Sequence, residues 1–177
     1  MQQSIERIIA NFEVLDDWAD RYRYIIDLGR QLPGLPSDCR VECNRVDGCV
    51  SKVWLVEEMD AGSVGDLMEA VARSAGEALP VAGDSRCPMY FNADSDAHIV
   101  RGLIAILLHL YCGKTPEEIL ALDPAPLFTQ LGLDKHLSVS RSNGLNAMVK
   151  RLKQLAAEQI ARRGESTADS AAAAPAQ

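Results

Sequence analysis

The sequence feature that most constrains the fold is an apolar stretch, "IVRGLIAILLHLYC", that ends at Cys112. Apolar residues cover most sides of a helix drawn through residues 96–112, so we expect this helix to lie in the core. Arg101 and His109 interrupt the stretch, which is therefore too short and too polar to span a bilayer. Gly113 is a typical helix stop. The sequence thus predicts a domain built around one buried helix.

Two segments before this helix are typical of β-strands, "VSKVWLVEE" at 50–58 and "PMYFNADSD" at 88–96. About thirty residues separate them, which is too many for a hairpin turn. A narrow apolar stripe within that stretch predicts an inserted helical segment at about 60–87. Helical patterns precede and follow the strands. Because strands and helices are segregated along the chain, we expect an α+β fold.

The length and the helix-start signals define the expected domain. The 177 residues suit one domain, which we place at residues 1–163. The stretch "GESTADSAAAAPAQ" at 164–177 lacks large apolar side chains, so it predicts a disordered tail. Thr115 begins the capping box "TPEE", and Asp16 suits the N-cap of an earlier helix.

The charge and the N-terminal sequence exclude some classes of protein. The chain has 18 lysines and arginines against 25 acidic residues, a formal charge of −7, which argues against a protein that binds nucleic acid. The N-terminal "MQQSIERIIANF" has no apolar core of the kind a signal peptide needs. We therefore expect a soluble, cytoplasmic protein without a membrane or nucleic-acid partner.

Cys49 is the residue whose setting calls for a chemical explanation. It follows Gly48 at the start of a predicted strand, on a turn that neighbouring polar residues mark as accessible. No histidine lies within forty residues of it, so no general base is evident for a cysteine hydrolase. Cys39, Cys43 and Cys49 leave open a metal or iron–sulfur scaffold, or a disulfide between the last two. However, the chain lacks the usual zinc-site pair of cysteines with two residues between them.

Four collinear blocks of the sequence resemble the SufE family of sulfur acceptors. They are "DWADRYRYIIDLGRQLP" at 17–33, "NRVDGCVSKVWL" at 44–55, "ADSDAHIVRGLIAILLHLYCGKTPEEIL" at 93–120 and "LGLDKHLSVSRSNGLNAMVKRL" at 131–152. The resemblance implies an α+β fold similar to the U-type iron–sulfur scaffolds, with a small antiparallel sheet of about three strands flanked by helices. The segment at about 60–87 replaces a shorter connection of the family.

The resemblance also implies a function and its site residues. SufE-like proteins take persulfide sulfur from a cysteine desulfurase such as SufS, stimulate that enzyme, and deliver the sulfur for iron–sulfur cluster assembly on a SufB-type scaffold. Such a protein is a persulfide carrier of sulfurtransferase type rather than a stand-alone enzyme. It needs no cofactor, since the pyridoxal phosphate belongs to the desulfurase, and a homodimer is possible. The family cysteine corresponds to Cys49.

Three further residues match positions of the family pattern. Arg141 corresponds to a family arginine and is expected to support the thiolate of Cys49. Asp94 and Asp96 match family acids, and we expect them to cap the core helix rather than to act in catalysis. Cys39 and Cys43 are not part of the family pattern, so a relay or redox role stays open for them.

Overall fold

The computed structural model describes residues 5–58 and 88–172 of the chain. The helices are α1 (Ile5–Glu13), α2 (Trp18–Arg30), α3 (His98–Tyr111), α4 (Pro116–Ala121), α5 (Ala125–Gln130), α6 (Leu133–His136) and α7 (Val139–Ala172), and the strands are β1 (Val53–Glu58) and β2 (Tyr90–Ser95). Short 3-10 turns at Ser37–Cys39 and Glu42–Asn44 lie between α2 and β1. The predicted α+β fold class is confirmed.

The two strands pair antiparallel, with Val53 opposite Ser95 and Glu58 opposite Tyr90. Every residue of β2 is buried, and α3 packs against this strand. The part of the chain that the structure describes contains these two strands, compared with the expected number of about three. The inserted segment predicted at about 60–87 lies outside the described residues.

Helix α3 lies in the core, as its apolar sequence predicts, and packs against α2, β2 and α7. The axes of α2 and α3 approach closely because Gly29 and Gly102 face each other where they cross. A Cβ atom at Gly102 would lie 2.0 Å from the carbonyl oxygen of Ile25, and one at Gly29 would lie 2.5 Å from the amide nitrogen of Gly102. The contact therefore requires glycine in both helices.

The carboxylate of Asp94 on β2 is buried and holds the connection that follows α2. Its Oδ2 lies 2.6 Å from Nη2 of Arg40 and accepts a hydrogen bond from the amide of Leu35. Its Oδ1 accepts a hydrogen bond from the amide of Ser95 and lies 3.3 Å from Nε of Arg101 on α3. A buried carboxylate is tolerated only when it is paired and hydrogen-bonded in this way.

The ends of the helices differ in part from the prediction. The Thr115 capping box is confirmed, but the N-cap of α2 is Asp17 rather than Asp16. Asp94 and Asp96 do not cap α3: its N-cap is Ala97, without a side-chain cap, because both acids bond to other partners. The predicted caps at Asp16, Asp94 and Asp96 were therefore wrong.

The last helix is longer than the sequence suggests. The composition predicts a disordered tail from residue 164, whereas α7 continues to Ala172. Extending a helix that already exists is much easier than starting one. No helix within 5–58 or 88–172 combines the length and the apolar character needed to cross a membrane.

We predict that Gly102→Ala destabilises the protein, since the added methyl group would overlap the backbone of α2. The loss in the free energy of unfolding should be about 1–3 kcal/mol, the usual range for overpacking a core. Chemical denaturation measures it, and His98→Ala at an exposed position of the same helix is the control. An unchanged midpoint for Gly102→Ala would show that the two helices separate easily.

Candidate functional site

Cys49 lies on a turn, residues 48–51, that we call the Cys49 turn. Gly48 has a φ of 88°, a conformation that residues with a side chain rarely adopt. The chain is closed at the base of this turn, where the amide of Val46 donates to the carbonyl of Val53 over 2.9 Å. Strand β1 consequently begins at Val53 rather than at the predicted Val50, since the turn occupies the intervening residues.

Asp96 fastens the end of the Cys49 turn to the sheet. Its Oδ1 accepts a hydrogen bond of 3.0 Å from the amide of Lys52, and its own amide donates over 3.3 Å to the carbonyl of Lys52. This reciprocal pair leaves both polar groups of the Lys52 backbone bonded to one residue. Asp96 therefore acts on the turn and not on the helix that follows it.

The thiol of Cys49 points at the first turns of α7. Its Sγ donates to the carbonyl oxygen of Gly144 over 3.4 Å. The helix presents small residues here, and a Cβ at Gly48 would lie 3.5 Å from the Cβ of Ala147. The residue is half-buried, and this burial raises the pKa of the Cys49 thiol. The protonated thiol is therefore the favoured form in this position.

A cleft of about 340 Å³ adjoins the thiol. Helices α3 and α7 supply an apolar wall, and the start of α7 supplies hydroxyl groups and a guanidinium. The residues that line the cleft are Cys49, Val50, Ser51, Val100, Leu103, Ser138, Ser140, Arg141, Gly144, Leu145 and Met148. The space can accept a small group attached to the sulfur while limiting its exposure to water.

Arg141 lies on this cleft together with Cys49, so the structure brings the two predicted site residues together. The side chain is exposed and belongs to the first turn of α7. Sequence comparison with the family predicts that this cation supports the thiolate, which would lower the pKa of Cys49. In the described geometry the pKa is raised instead, and desolvation by burial is its cause.

The other described cysteines differ from Cys49 in their surroundings. Cys43 is exposed and Cys39 is half-buried, both on the 3-10 turns. Cys112 is buried, as expected for a core residue, and burial raises its pKa to about 12. Within 5–58 and 88–172, no three histidine, cysteine or acidic residues lie close enough to hold one metal ion. The structure thus does not bring Cys39, Cys43 and Cys49 together as the scaffold hypothesis requires.

Sequence reasoning missed two residues that determine the surroundings of Cys49. The sequence predicts a helix cap at Asp96, whereas its contact with Lys52 spans 44 positions, which no local pattern reveals. Gly144 interrupts a helical pattern, and an isolated glycine in a helix often has a packing reason. That signal was present in "SRSNGLNAM", but it does not say which residue packs there.

Fold and site together describe a small α+β protein that holds one thiol on a turn between its sheet and its last helix. The family model for SufE, described as an Fe-S metabolism associated domain, matches residues 6–76 and 78–156. The chain belongs to the SufE family, and this membership gives it a role in iron–sulfur metabolism.

Individual relatives agree with this assignment. The chain is 45% identical over 152 residues to an uncharacterized SufE-like protein of Rhizobium etli, covering 85% of this chain and 88% of the relative. It is 41% identical over 151 residues to one of Rhizobium meliloti, covering 85% and 92%. The solution structure of a hypothetical protein from Thermus thermophilus shares the fold, with a TM-score of 0.57 at 18% identity, covering 87% and 93% of the two chains.

We predict that Asp96→Ala makes Cys49 more reactive, since the Lys52 amide loses its side-chain acceptor. Loss of one hydrogen bond, at about 1 kcal/mol, should increase the open fraction of the Cys49 turn roughly fivefold. Peptide-resolved alkylation measures the rate, with the exposed Cys43 as the reference thiol. Asp96→Asn keeps an oxygen acceptor and should stay near wild type. Equal rates for the alanine variant and wild type would show that Asp96 does not restrain the turn.

Proposed function

We propose that the protein accepts sulfur on Cys49 from a pyridoxal-phosphate-dependent cysteine desulfurase of SufS type, stimulates that enzyme, and delivers the sulfur to an iron–sulfur assembly scaffold of SufB type. One observation carries the proposal: within a SufE-family chain, Cys49 combines a half-buried thiol with a lined cleft, whereas Cys43 is exposed and Cys112 is buried in the core. We place the reaction in the cytoplasm, where thiols stay reduced.

The transfer requires one thiolate and no base held by the acceptor. The sulfur anion of Cys49 attacks the terminal sulfur of the donor's cysteine persulfide, and the donor's own cysteine leaves as a thiolate. One S–S bond forms and one breaks, so no oxidant or reductant is consumed. Cys49 ends as a persulfide. The same exchange in the opposite direction passes the sulfur to the next acceptor thiol.

The resting position of Cys49 favours protection over speed. The thiolate is the nucleophile, and even an ordinary exposed thiol is ionised by only a few per cent at neutral pH. Burial raises the pKa of Cys49 and reduces that fraction further. The reaction therefore requires the Cys49 turn to leave Gly144 when the donor binds. The base of the turn, closed by the Val46–Val53 hydrogen bond, can stay in place during this movement.

The exterior of the cleft suits contact with a protein partner. Val50, which lines the cleft, is 84% exposed, and Val139, between two lining serines, is 78% exposed. Large apolar side chains this exposed are available for burial against a partner. The guanidinium of Arg141 lies on the same cleft as the thiol, where sulfur anions form during transfer. Docking there would shield the exchanging sulfur from water.

We predict that the protein, incubated with a cognate desulfurase and free cysteine, gains the mass of one sulfur atom on Cys49. Peptide mapping locates the sulfur, and a reductant should remove it. Cys49→Ser should fold, since a hydroxyl is close in size to a thiol, but should neither take up sulfur nor stimulate the desulfurase. Cys43→Ser is the matched control and should remain active. Sulfur that appears first on Cys43 or Cys39, together with an active Cys49→Ser protein, would refute the proposal.

We predict that Arg141→Ala slows sulfur uptake without changing how Cys49 titrates at rest. A single cation near a reacting anion at the surface contributes about 1 kcal/mol, which corresponds to a roughly fivefold slower transfer. Because burial sets the resting pKa of Cys49, the pH profile of its alkylation should be unchanged. Single-turnover transfer kinetics test the first statement, and Arg141→Lys should retain part of the rate. Wild-type kinetics in the alanine variant would remove Arg141 from the mechanism.

A further inference from the structure

Gly144 occupies a helical position that gives no local reason for glycine. It lies inside α7, where glycine destabilises a helix by about 1 kcal/mol relative to alanine. Its backbone is ordinary: the glycines with positive φ are Gly34, Gly48, Gly113 and Gly132 among the described residues. Neither a turn nor a left-handed conformation therefore explains the residue.

The atoms that face the missing side chain of Gly144 belong to Cys49. A Cβ atom there would meet three nearest atoms, all of them from Cys49: Sγ at 3.4 Å, and Cα and Cβ at 3.9 Å. Gly102 differs, because its added Cβ would strike the backbone of another helix at 2.0 Å. At Gly144 the Cβ of an alanine would lie at the lower limit of ordinary contact with Sγ, so alanine crowds the thiol slightly and a larger side chain displaces the Cys49 turn.

The carbonyl oxygen of Gly144 also favours the protonated form of the Cys49 thiol. A carbonyl oxygen has two lone pairs, so a helical carbonyl can accept a second hydrogen bond beside its helical one. It accepts the S–H of Cys49 over 3.4 Å. A thiolate has no hydrogen to donate, and its charge would face the partial negative charge of the oxygen. The contact is therefore favourable for the thiol and unfavourable for the thiolate.

We propose that Gly144 is a positioning residue that admits only the neutral, unloaded Cys49 thiol, so that the residue ionises and reacts only after the turn leaves the helix. The inference rests on the carrier role proposed for Cys49 and adds its regulation. It makes ionisation and exposure of the thiol a single event, which a docking partner controls.

The same contact distinguishes the empty carrier from the loaded one. In a persulfide, Sγ is bonded to Cβ and to the second sulfur, so it carries no hydrogen to donate to Gly144. The second sulfur would lie about 2 Å from Sγ, and Cys49 lines a cleft that can receive it. Because the loaded residue has lost its hydrogen bond to Gly144, we expect it to direct its sulfur into this cleft. Loading thus changes the position of the turn, which is a feature that the desulfurase and the next acceptor can recognise.

The test replaces Gly144 by alanine and by leucine, two strong helix formers of increasing size. Cys49 should be alkylated faster in the order glycine, alanine, leucine, with a severalfold increase for Gly144→Leu at neutral pH. Displacement from the carbonyl and from the buried position lowers the pKa of Cys49, so the midpoint of the alkylation profile should move to lower pH. Peptide-resolved mass spectrometry measures each thiol separately, and the exposed Cys43 should react at a constant rate.

Asn143→Ala is the matched control, because Asn143 is exposed on the same helix beside Gly144. It raises helix propensity without approaching the thiol, so it should increase stability and leave the Cys49 profile unchanged. Gly144→Ala should unfold at the same or a higher temperature than wild type.

Two results would overturn the inference. One is a folded Gly144→Leu protein whose Cys49 profile matches wild type. The other is a Gly144→Ala protein that is destabilised while its Cys49 profile stays unchanged, which would assign the glycine to packing alone. The alkylation assay contains no desulfurase, so its outcome is independent of whether Cys49 accepts sulfur. Failure of the carrier role and failure of this inference are thereby distinguishable.

Discussion

The buried carboxylate of Asp94 is the interaction on which the rest of the structure depends. It joins three parts of the chain, since it belongs to β2, pairs with Arg101 on α3, and pairs with Arg40 on the connection from α2. Arg101 also donates over 3.0 Å to the carbonyl of Leu32. Both arginines are partly exposed, whereas the Asp94 carboxylate is buried, so removing them would leave a buried charge without compensation. The connection that leads to the Cys49 turn is fixed by this cluster.

Hydrogen bonds hold both ends of the Cys49 turn, so only its tip is free to move. The Val46–Val53 hydrogen bond and the Asp96–Lys52 pair hold its base, whereas its tip makes a single weak thiol hydrogen bond to Gly144. Sulfur is a poor hydrogen-bond donor, so this bond is easily exchanged for contacts with a partner. The tip can therefore move while the sheet and α3 remain as they are. The close glycine contact between α2 and α3 packs these two helices tightly together.

The sequence predicts those features that depend on neighbours along the chain, and misses those that depend on distant ones. The buried helix α3 and the Thr115 capping box follow from periodicity and local spacing, and both are present. The setting of Cys49 on a glycine turn singles it out, but the sulfur-acceptor role proposed for it comes from the family resemblance. Its raised pKa could not be foreseen, because it results from burial against residues nearly a hundred positions away. Asp96 shows the same limit, since an acid before a helix looks like a cap until its partner across the sheet is known.

A carrier thiol has two requirements that conflict. Fast transfer requires a thiolate, but a permanently ionised thiol reacts with any oxidant or electrophile it meets. A nearby cation that lowered the resting pKa would improve transfer and remove the protection. The structure has the opposite arrangement, in which burial raises the pKa of Cys49 and the cation of Arg141 lies at the exposed start of α7. Under the proposed carrier role, ionisation would follow from the encounter with the partner, and Cys49 would be reactive only where its sulfur can be accepted or delivered.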